Sequence, residues 1–189
     1  DAEALARLAG ALWRFWYVHS HFHEGRGWLN QALARQDAVS PPVRVRVLNG
    51  TAWLAYNQGD FARARDLAGQ SLALARSLDN KWEIGQAMAT LGSVELGQGN
   101  FAAATAHYEH GLAVMRVLAH SWGISYMLNF LGLTAQLAGD SAQATALLEE
   151  SLALSRHLHD IRGMAFTLLN LGRAAHEQGD DARAAALLE

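Results

Sequence analysis

Four glycines recur at a constant spacing of forty residues, and this period constrains the chain more than any other feature of its sequence. They are Gly59, Gly99, Gly139 and Gly179, and each precedes Asp or Asn. Longer segments follow the same period: residues 71–78 read SLALARSL and residues 151–158 read SLALSRHL. A fixed period of this size is typical of a solenoid built from stacked repeat units.

Each repeat unit is expected to contain two antiparallel helices, A and B. Ala, Leu, Arg, Gln and Glu are abundant and favour helix, whereas Val, Ile and Thr are sparse. Glycine can take the left-handed conformation that ends helix A, and the following Asp or Asn can cap helix B. The pattern predicts an all-α fold of about five helix pairs, with the last pair truncated. The predicted A helices are 42–58, 82–98, 122–138 and 162–178, and the predicted B helices are 60–78, 100–118, 140–158 and 180–189.

The period also predicts the domain organisation. We expect a single repeat domain over residues 1–189, with units at about 1–40, 41–80, 81–120 and 121–160 and a partial unit at 161–189. Because the chain starts at Asp1 and stops inside a repeat, we expect a fragment of a larger protein. Its last repeat ends in Leu187-Leu188-Glu189, which would present an apolar face and predicts a homodimer or higher species.

Small residues inside the helices are expected to set how closely helices A and B pack. Two helices approach closely where both contact residues are small. The pattern predicts contacts of Gly92 with Ala104, Gly132 with Ala144, and Gly172 with Ala184. Together with the turn glycines, these six residues form the expected structural signature of the repeat.

The segment TLGSVELGQGNFAAA, residues 90–104, resembles the tetratricopeptide repeat. That motif combines Leu-Gly in helix A, a Gly-Asp-aromatic turn and a small Ala three residues after the aromatic, and the likeness covers nearly the whole chain. The family's usual period is about 34 residues, so both helices must be longer here. The resemblance implies a right-handed superhelical solenoid whose A helices line a concave side that binds ligands.

By that resemblance, the second, fifth, ninth and twelfth residues of each motif would line the groove. The candidate ligand or partner residues are Arg7, Arg14, Tyr17, Arg46, Asn49, Trp53, Tyr56, Tyr126, Asn129, Arg173 and His176. Arginine and aromatic residues are enriched in binding hot spots, and they suit a peptide carboxylate, an acidic segment or a sugar stacked on a ring. The alternative for Trp53 and Tyr56 is that they pack against the neighbouring A helix and bind nothing.

Three histidines alternate in HSHFHEG, residues 19–25, and raise the question of a metal site. Aligning the first unit with the second at an offset of 39 places Ser20 at the turn-glycine position and His21 at the capping position. This register predicts that Trp13 packs over Gly25. A zinc site needs three or four converging ligands, and the chain has no cysteine. The favoured interpretation is therefore a solvated or capping turn.

The opening block ARLAGALWRFWYVHSHFHEGRGWLNQALA carries a second resemblance. It is similar to the start of the repeat region in bacterial LuxR-type transcriptional regulators and large signal-transduction ATPases, where a nucleotide-switch module precedes the repeats. The chain contains no P-loop motif and no DNA-reading element. The likeness implies the sensor or partner-docking part of such a regulator. Its partner would be a protein or peptide, another domain of the same regulator, or a small-molecule effector.

Composition narrows the functional classes. A net charge of −3 without a Lys/Arg run argues against direct nucleic-acid contact. No apolar run is long enough to span a bilayer and no signal peptide opens the chain, which predicts a cytoplasmic location without membrane contact. No catalytic, metal-ligating or cofactor-binding arrangement can be placed, so we expect a non-catalytic binding module without a cofactor. The alternatives are a general protein–protein adaptor without a switch and, more weakly supported, part of an enzyme.

Overall fold

The computed structural model describes residues 1–188, which form ten α-helices and one short 3-10 helix, with no strand among them. The helices are α1 (Ala2–Val18), α2 (Phe22–Leu33), α3 (Pro41–Asn57), α4 (Phe61–Ser77), α5 (Lys81–Gly97), α6 (Phe101–Val117), α7 (Ser121–Leu137), α8 (Ser141–His157), α9 (Ile161–Glu177) and α10 (Asp181–Leu188). The 3-10 helix is Gln36–Ala38. Glu189, which belongs to the predicted last helix and to the predicted apolar end, lies outside the described residues.

The all-α prediction is confirmed, and odd-numbered helices take the role of A and even-numbered helices that of B. Every helix from α3 to α9 contains 17 residues. Each complete A helix begins and ends one residue before the predicted bounds, and each complete B helix is one residue shorter at both ends. The forty-residue period therefore corresponds to one helix pair with its two connections.

The turn glycines have the conformation that the sequence predicts. Their φ angles are +77° at Gly59, +78° at Gly99, +91° at Gly139 and +80° at Gly179. At the first of these turns the Gly59 N–H donates to the Tyr56 carbonyl at 2.9 Å, and the Asp60 N–H donates to the Ala55 carbonyl at 3.0 Å. This pair of bonds closes a helix C-terminus in the Schellman manner, which requires a left-handed residue at the turn.

The predicted caps of the B helices form at Asp60, Asp140 and Asp180. Each of these carboxylates accepts a hydrogen bond from the backbone N–H three residues later, at 3.3, 2.9 and 3.0 Å respectively. The prediction is wrong at Asn100, which makes no side-chain cap bond. Its Nδ2 donates instead to Glu95 Oε2 at 2.7 Å, so this side chain serves helix α5 rather than the first turn of α6.

A second set of left-handed residues lies between each B helix and the next A helix. The φ angles are +47° at Asp79, +49° at Ala119 and +53° at His159, and none of these residues is glycine. Ser20, which the alignment places at a turn-glycine position, has φ of +60°. Both connections of the repeat therefore use the left-handed region, which costs a residue with a Cβ more than it costs glycine.

The described part of the chain divides into two compact units, Asp1–Val94 and the residues from Glu95 on. In the first unit α1 packs on α2 and α3, and α3 also packs on α2 and α4. Its core includes Trp16, Leu29 and Leu54, which are almost fully buried. In the second unit α7 packs on α6 and α8, and α9 packs on α8 and α10. A single domain over the whole chain stays a prediction.

One predicted helix contact is wrong, because Trp16 rather than Trp13 lies over Gly25. A Cβ placed on Gly25 would come within 2.8 Å of Trp16 Cβ, and a Cβ placed on Gly50 would come within 2.7 Å of Trp13 Cγ. Helices α1 and α2 are antiparallel, so residues equally distant from the two turn residues Ser20 and His21 meet each other. Trp16 and Gly25 satisfy this condition, and Trp13 is thereby directed towards α3.

The contacts predicted between small residues are partly changed. A Cβ on Gly132 would lie 2.6 Å from Leu148 Cγ and 3.2 Å from the carbonyl oxygen of the predicted Ala144. Gly132 therefore lies beside the predicted alanine, but the side chain nearest to it is a leucine one helical turn further along α8.

Gly172 shows the same displacement. Its nearest neighbour is Leu188, whose Cγ would lie 3.0 Å from an added Cβ, rather than the predicted Ala184. Ala104 and Ala144 are fully buried and Ala184 is nearly so. The alanines of the signature are thus core residues, whereas Gly132 and Gly172 make room for branched side chains on the facing helix.

Candidate ligand-binding site

The predicted groove residues of the first unit lie on α1 and α3, and the structure brings several of them together. The ring of Tyr17 meets that of Trp53 edge-on at 5.7 Å, and Trp53 lies 5.4 Å from Tyr56. These distances are typical of favourable aromatic pairs. The three rings therefore form one continuous aromatic cluster across the two helices.

Burial shows what this aromatic cluster does. Trp53 is only 8% exposed, and the Tyr56 hydroxyl makes a hydrogen bond with Ser93 on α5. Burial raises the pKa of Tyr56, and the bond with Ser93 partly offsets this effect. Trp53 and Tyr56 thus pack between neighbouring A helices, and contact of either residue with a ligand stays a prediction.

Arg14 projects from α1 between two indole rings. Its guanidinium carbon lies 5.2 Å from the ring centroid of Trp13 and 5.4 Å from that of Trp82 on α5. Both distances fall within the range of cation–π attraction. Arg14 nevertheless remains an exposed residue, so the two rings position a charge that solvent can reach.

Arg46 and Asn49 of α3 meet a buried carboxylate on α5. Arg46 Nε lies 3.5 Å from Glu83 Oε1, and Asn49 Nδ2 donates to Glu83 Oε2 at 2.7 Å. A further bond joins Asn49 Nδ2 to the Glu83 carbonyl at 3.1 Å. The Glu83 side chain is 6% exposed, whereas that of Arg46 is 64% exposed. We call Arg14, Arg46, Asn49 and Glu83, with Trp13 and Trp82, the arginine wall.

Opposing effects act on the Glu83 carboxyl. Burial raises its pKa, and the Asn49 hydrogen bond and the charges of Arg46 and Arg14 lower it. Glu83 also lies in the first turn of α5, where the helix dipole favours an anion. With Glu83 ionised, the two guanidinium groups and the carboxylate leave one net positive charge on the arginine wall.

Arg7, another predicted groove residue, is engaged in a different cluster. Its Nε donates to Glu3 Oε1 at 2.8 Å. The Glu3 carboxylate also accepts bonds from the Ser40 N–H and Oγ, both at 2.8 Å. Arg7 therefore belongs to a contact that fastens the start of α1 to the start of α3.

The predicted groove residues of the second unit have mixed surroundings. Tyr126 stacks on Trp122 at 5.4 Å. Asn129 is 3% exposed; it donates to Thr167 Oγ1 and accepts a bond from Asn170 at 2.9 Å. Asn129 is therefore part of a buried hydrogen-bond network that joins α7 to α9.

Arg173 and His176 are exposed on α9. His176 Nδ1 lies 2.6 Å from Asp181 Oδ1, so this histidine contacts the start of α10. Neither residue is brought into a cluster comparable to the arginine wall by the contacts described above. Ligand binding by the groove residues of the second unit stays a prediction.

The histidines of the first turn lie beside Phe15 at the end of α1. The Phe15 ring is 4.6 Å from that of His19 and 6.1 Å from that of His21. His21 occupies the predicted N-cap position of α2 but makes no side-chain cap bond. His19, His21 and His23 are exposed, so of the two expected roles the structure shows the solvated turn. Within residues 1–188, no three His, Asp or Glu side chains are grouped so that they could hold a metal ion.

Three residues of the arginine wall, Trp13, Trp82 and Glu83, are not among the groove residues predicted from the sequence. The sequence does contain a signal for Glu83, because the equivalent positions of three other repeats hold Val43, Gly123 and Gly163. A charged residue among apolar and small ones indicates a local role. Trp82 joins the wall through the contact of its ring with Arg14.

None of the described helices combines the length and the apolar character needed to cross a bilayer.

Solved structures with the same fold are similar to this chain over nearly its whole length. BtubC from P. vanneervenii is 19% identical, with a TM-score of 0.79 over 99% of this chain and 78% of that one. A Rap protein complexed with competence and sporulation factor is 13% identical, with a TM-score of 0.89 over 99% of this chain and 53% of that one. The Rap conjugation gene regulator of plasmid pLS20, in complex with the Phr* peptide, is 14% identical, with a TM-score of 0.83 over 96% of this chain and 50% of that one.

The sequence comparisons point to the same repeat. Among curated proteins, none matches this chain at a significant level. Tetratricopeptide repeat profiles match residues 45–78 and residues 123–189. With its paired helices and its left-handed turn glycines, the chain belongs to the tetratricopeptide repeat family.

Proposed function

We propose that this repeat domain binds a peptide or protein segment and that the arginine wall receives an acidic group of that ligand. The observation that carries the proposal is the pair of exposed guanidinium groups, Arg14 and Arg46, held in place by buried or partly buried neighbours. A preorganised cation loses little side-chain entropy on binding, and guanidinium groups match the planar geometry of carboxylates.

The similar Rap structures support a role in regulation. One is complexed with competence and sporulation factor, and the other is a conjugation gene regulator in complex with a peptide. We extend this to the chain as a proposal: it is the sensor or partner-docking part of a bacterial transcriptional or signalling regulator in the cytoplasm. An adaptor without a switch would use the same wall, but it would show no change in regulatory output on binding.

The proposal is tested by selecting peptides from a random display library on the wild-type protein. We expect enrichment of Asp- and Glu-containing sequences. Synthetic copies of these peptides should bind about tenfold or more weakly to the Arg14→Ala/Arg46→Ala double variant, because two charge-assisted hydrogen bonds are lost. Fluorescence polarisation with labelled peptides gives the dissociation constants.

Arg116→Ala is the matched control, because Arg116 is an exposed arginine paired with Glu150 at 3.4 Å in the second unit. It should leave peptide affinity unchanged. The proposal is wrong if the selected peptides carry no acidic bias, or if they bind the double variant as tightly as the wild type.

A further inference from the structure

We propose that Glu83 tunes the charge preference of the arginine wall: it limits the wall to one net positive charge and so weakens the binding of a doubly charged phosphate more than that of a singly charged carboxylate. This inference rests on the proposed function, since it concerns the same site. It adds a specificity-determining residue that does not itself need to touch the ligand.

The Glu83 carboxylate is fixed in place. It accepts the Asn49 bond at 2.7 Å and lies 3.5 Å from Arg46 Nε. Its own N–H donates to Asn80 Oδ1 at 3.2 Å, which holds the first turn of α5. Asn49 is 3% exposed, so solvent cannot easily replace it as a partner. These contacts therefore hold the Glu83 carboxylate beside the Arg46 guanidinium.

The charges that face Glu83 can be named for each helix packed around it. Helix α1 contributes Arg14 and helix α3 contributes Arg46, together with the neutral Asn49. Asn80, which precedes α5, and Trp82 carry no charge, and the charged Lys81 at the start of α5 is exposed. Arginine stays protonated at every pH of interest, so Glu83 is the titrating group among the contacts named here for α1 and α3.

Coulomb repulsion makes the effect depend on the charge of the ligand. The energy between Glu83 and a bound anion is proportional to the charge of that anion. A dianion is therefore penalised twice as much as a monoanion in the same position. Removing the Glu83 charge should therefore raise the affinity for both anions. Because the energy gained is twice as large for the dianion, the factor by which its affinity rises should be the square of the factor for the monoanion.

Lowering the pH should change anion binding in the same direction as removing the Glu83 charge. Burial raises the pKa of Glu83, so this carboxyl takes up its proton at a higher pH than an exposed glutamate does. Protonation leaves two guanidinium groups without an internal counter-charge. Anion binding to the wild type should then tighten as the pH falls, and more so for a dianion.

The test uses sulfate and methanesulfonate, two tetrahedral anions of similar shape that carry two charges and one charge. Each is titrated into the whole protein at pH 7, and binding is followed by the NMR signal of Arg46 Nε. In Glu83→Gln, which keeps an oxygen for the Asn49 bond, we expect methanesulfonate to bind about 3-fold and sulfate about 10-fold more tightly. Glu150→Gln, which removes a carboxylate paired with Arg116, should change neither value.

The inference would be overturned if Glu83→Gln bound both anions with equally increased affinity, or with unchanged affinity. It would also be overturned if neither protein showed an anion-dependent shift of the Arg46 Nε signal. If Glu83→Gln fails to fold, titrations of the wild type at pH 7 and pH 5 replace it. Sulfate affinity must then rise more than methanesulfonate affinity. These titrations need no peptide, so failure of the library selection would refute the proposed function independently of this result.

Discussion

Two carboxylates on A helices show how residue environment sets protonation in this chain. The Glu3 carboxylate accepts two bonds from Ser40 and one from Arg7, and the Ser40 backbone bond is the main cause that lowers its pKa. The Glu83 carboxylate is buried, which raises its pKa. Charged Glu3 therefore supports the folded state, whereas burial of charged Glu83 opposes it.

The substitution Glu3→Gln should make the protein less stable at neutral pH. The pKa of Glu3 is lower in the folded state than in the unfolded chain, so its stabilising effect is present above the unfolded value of about 4.3. That effect is lost as the pH falls through the folded value. Thermal unfolding should show a lower Tm than the wild type at pH 7 and a smaller difference near pH 3.

Glu24→Gln is the control for this comparison, because Glu24 is exposed on α2. Glu24→Gln should leave the Tm nearly unchanged at both pH 7 and pH 3. A Tm difference for Glu3→Gln that persists undiminished at pH 3 would show that the carboxylate charge is not the cause.

At the level of the helices, each repeat is delimited by two left-handed residues. The A-to-B turns use glycine, for example Gly99 with φ of +78°, and a Cβ there would meet nothing within 4 Å. The B-to-A turns use other residues, for example Ala119 with φ of +49°. The two kinds of turn thus share the same backbone geometry, but the left-handed conformation costs more conformational energy at the non-glycine residues of the B-to-A turns.

Opposite substitutions at these two turns should have opposite effects on stability. Ala119→Gly removes the strain of a Cβ in the left-handed region and should raise the free energy of unfolding by roughly 1 kcal/mol. Gly99→Ala introduces that strain without a steric clash and should lower it by about the same amount. Urea denaturation followed by circular dichroism measures both values.

A third variant separates backbone conformation from the general flexibility of glycine. Ala103→Gly lies inside helix α6 at an exposed position and should be destabilising by about 1 kcal/mol. If Ala119→Gly destabilised the protein to the same extent, the left-handed conformation at Ala119 would be refuted.

At the scale of the whole molecule, each compact unit has its own buried core. Leu54 is fully buried in the core cluster of the first unit, and Leu148 is fully buried in a cluster of the second. The stability of a repeat array is approximately a sum of repeat terms and of terms between nearest neighbours. A destabilising mutation should therefore lower local stability most in the repeat that contains it.

Truncating Leu54 should weaken the first unit more than the second. Leu54→Ala leaves a cavity and should cost about 2–5 kcal/mol, and native-state hydrogen exchange should show the largest loss of amide protection within Asp1–Val94. Leu148→Ala is the reciprocal variant and should reverse the distribution. A uniform loss of protection in both variants would show that the chain unfolds only as a whole.

Much of the architecture was predictable because it depends on local chemistry. The glycine period and the Asp caps act within a few residues along the chain, and they specify helix lengths and turns. The predicted helix contacts are displaced by about one turn at Gly25 and Gly172. Spacing along the sequence shows which residues are small, but not which residues meet across two antiparallel helices.

The repeat of forty residues, two helices and a left-handed glycine turn can be inferred from local sequence, since it follows from backbone preferences that each segment carries alone. The arginine wall depends instead on tertiary packing. Arg14, Arg46 and Glu83 come from three different helices, and their meeting depends on how α1, α3 and α5 pack. These side chains differ in burial: the guanidinium groups lie at the surface, where a ligand can reach them, and the carboxylate that limits their net charge is buried.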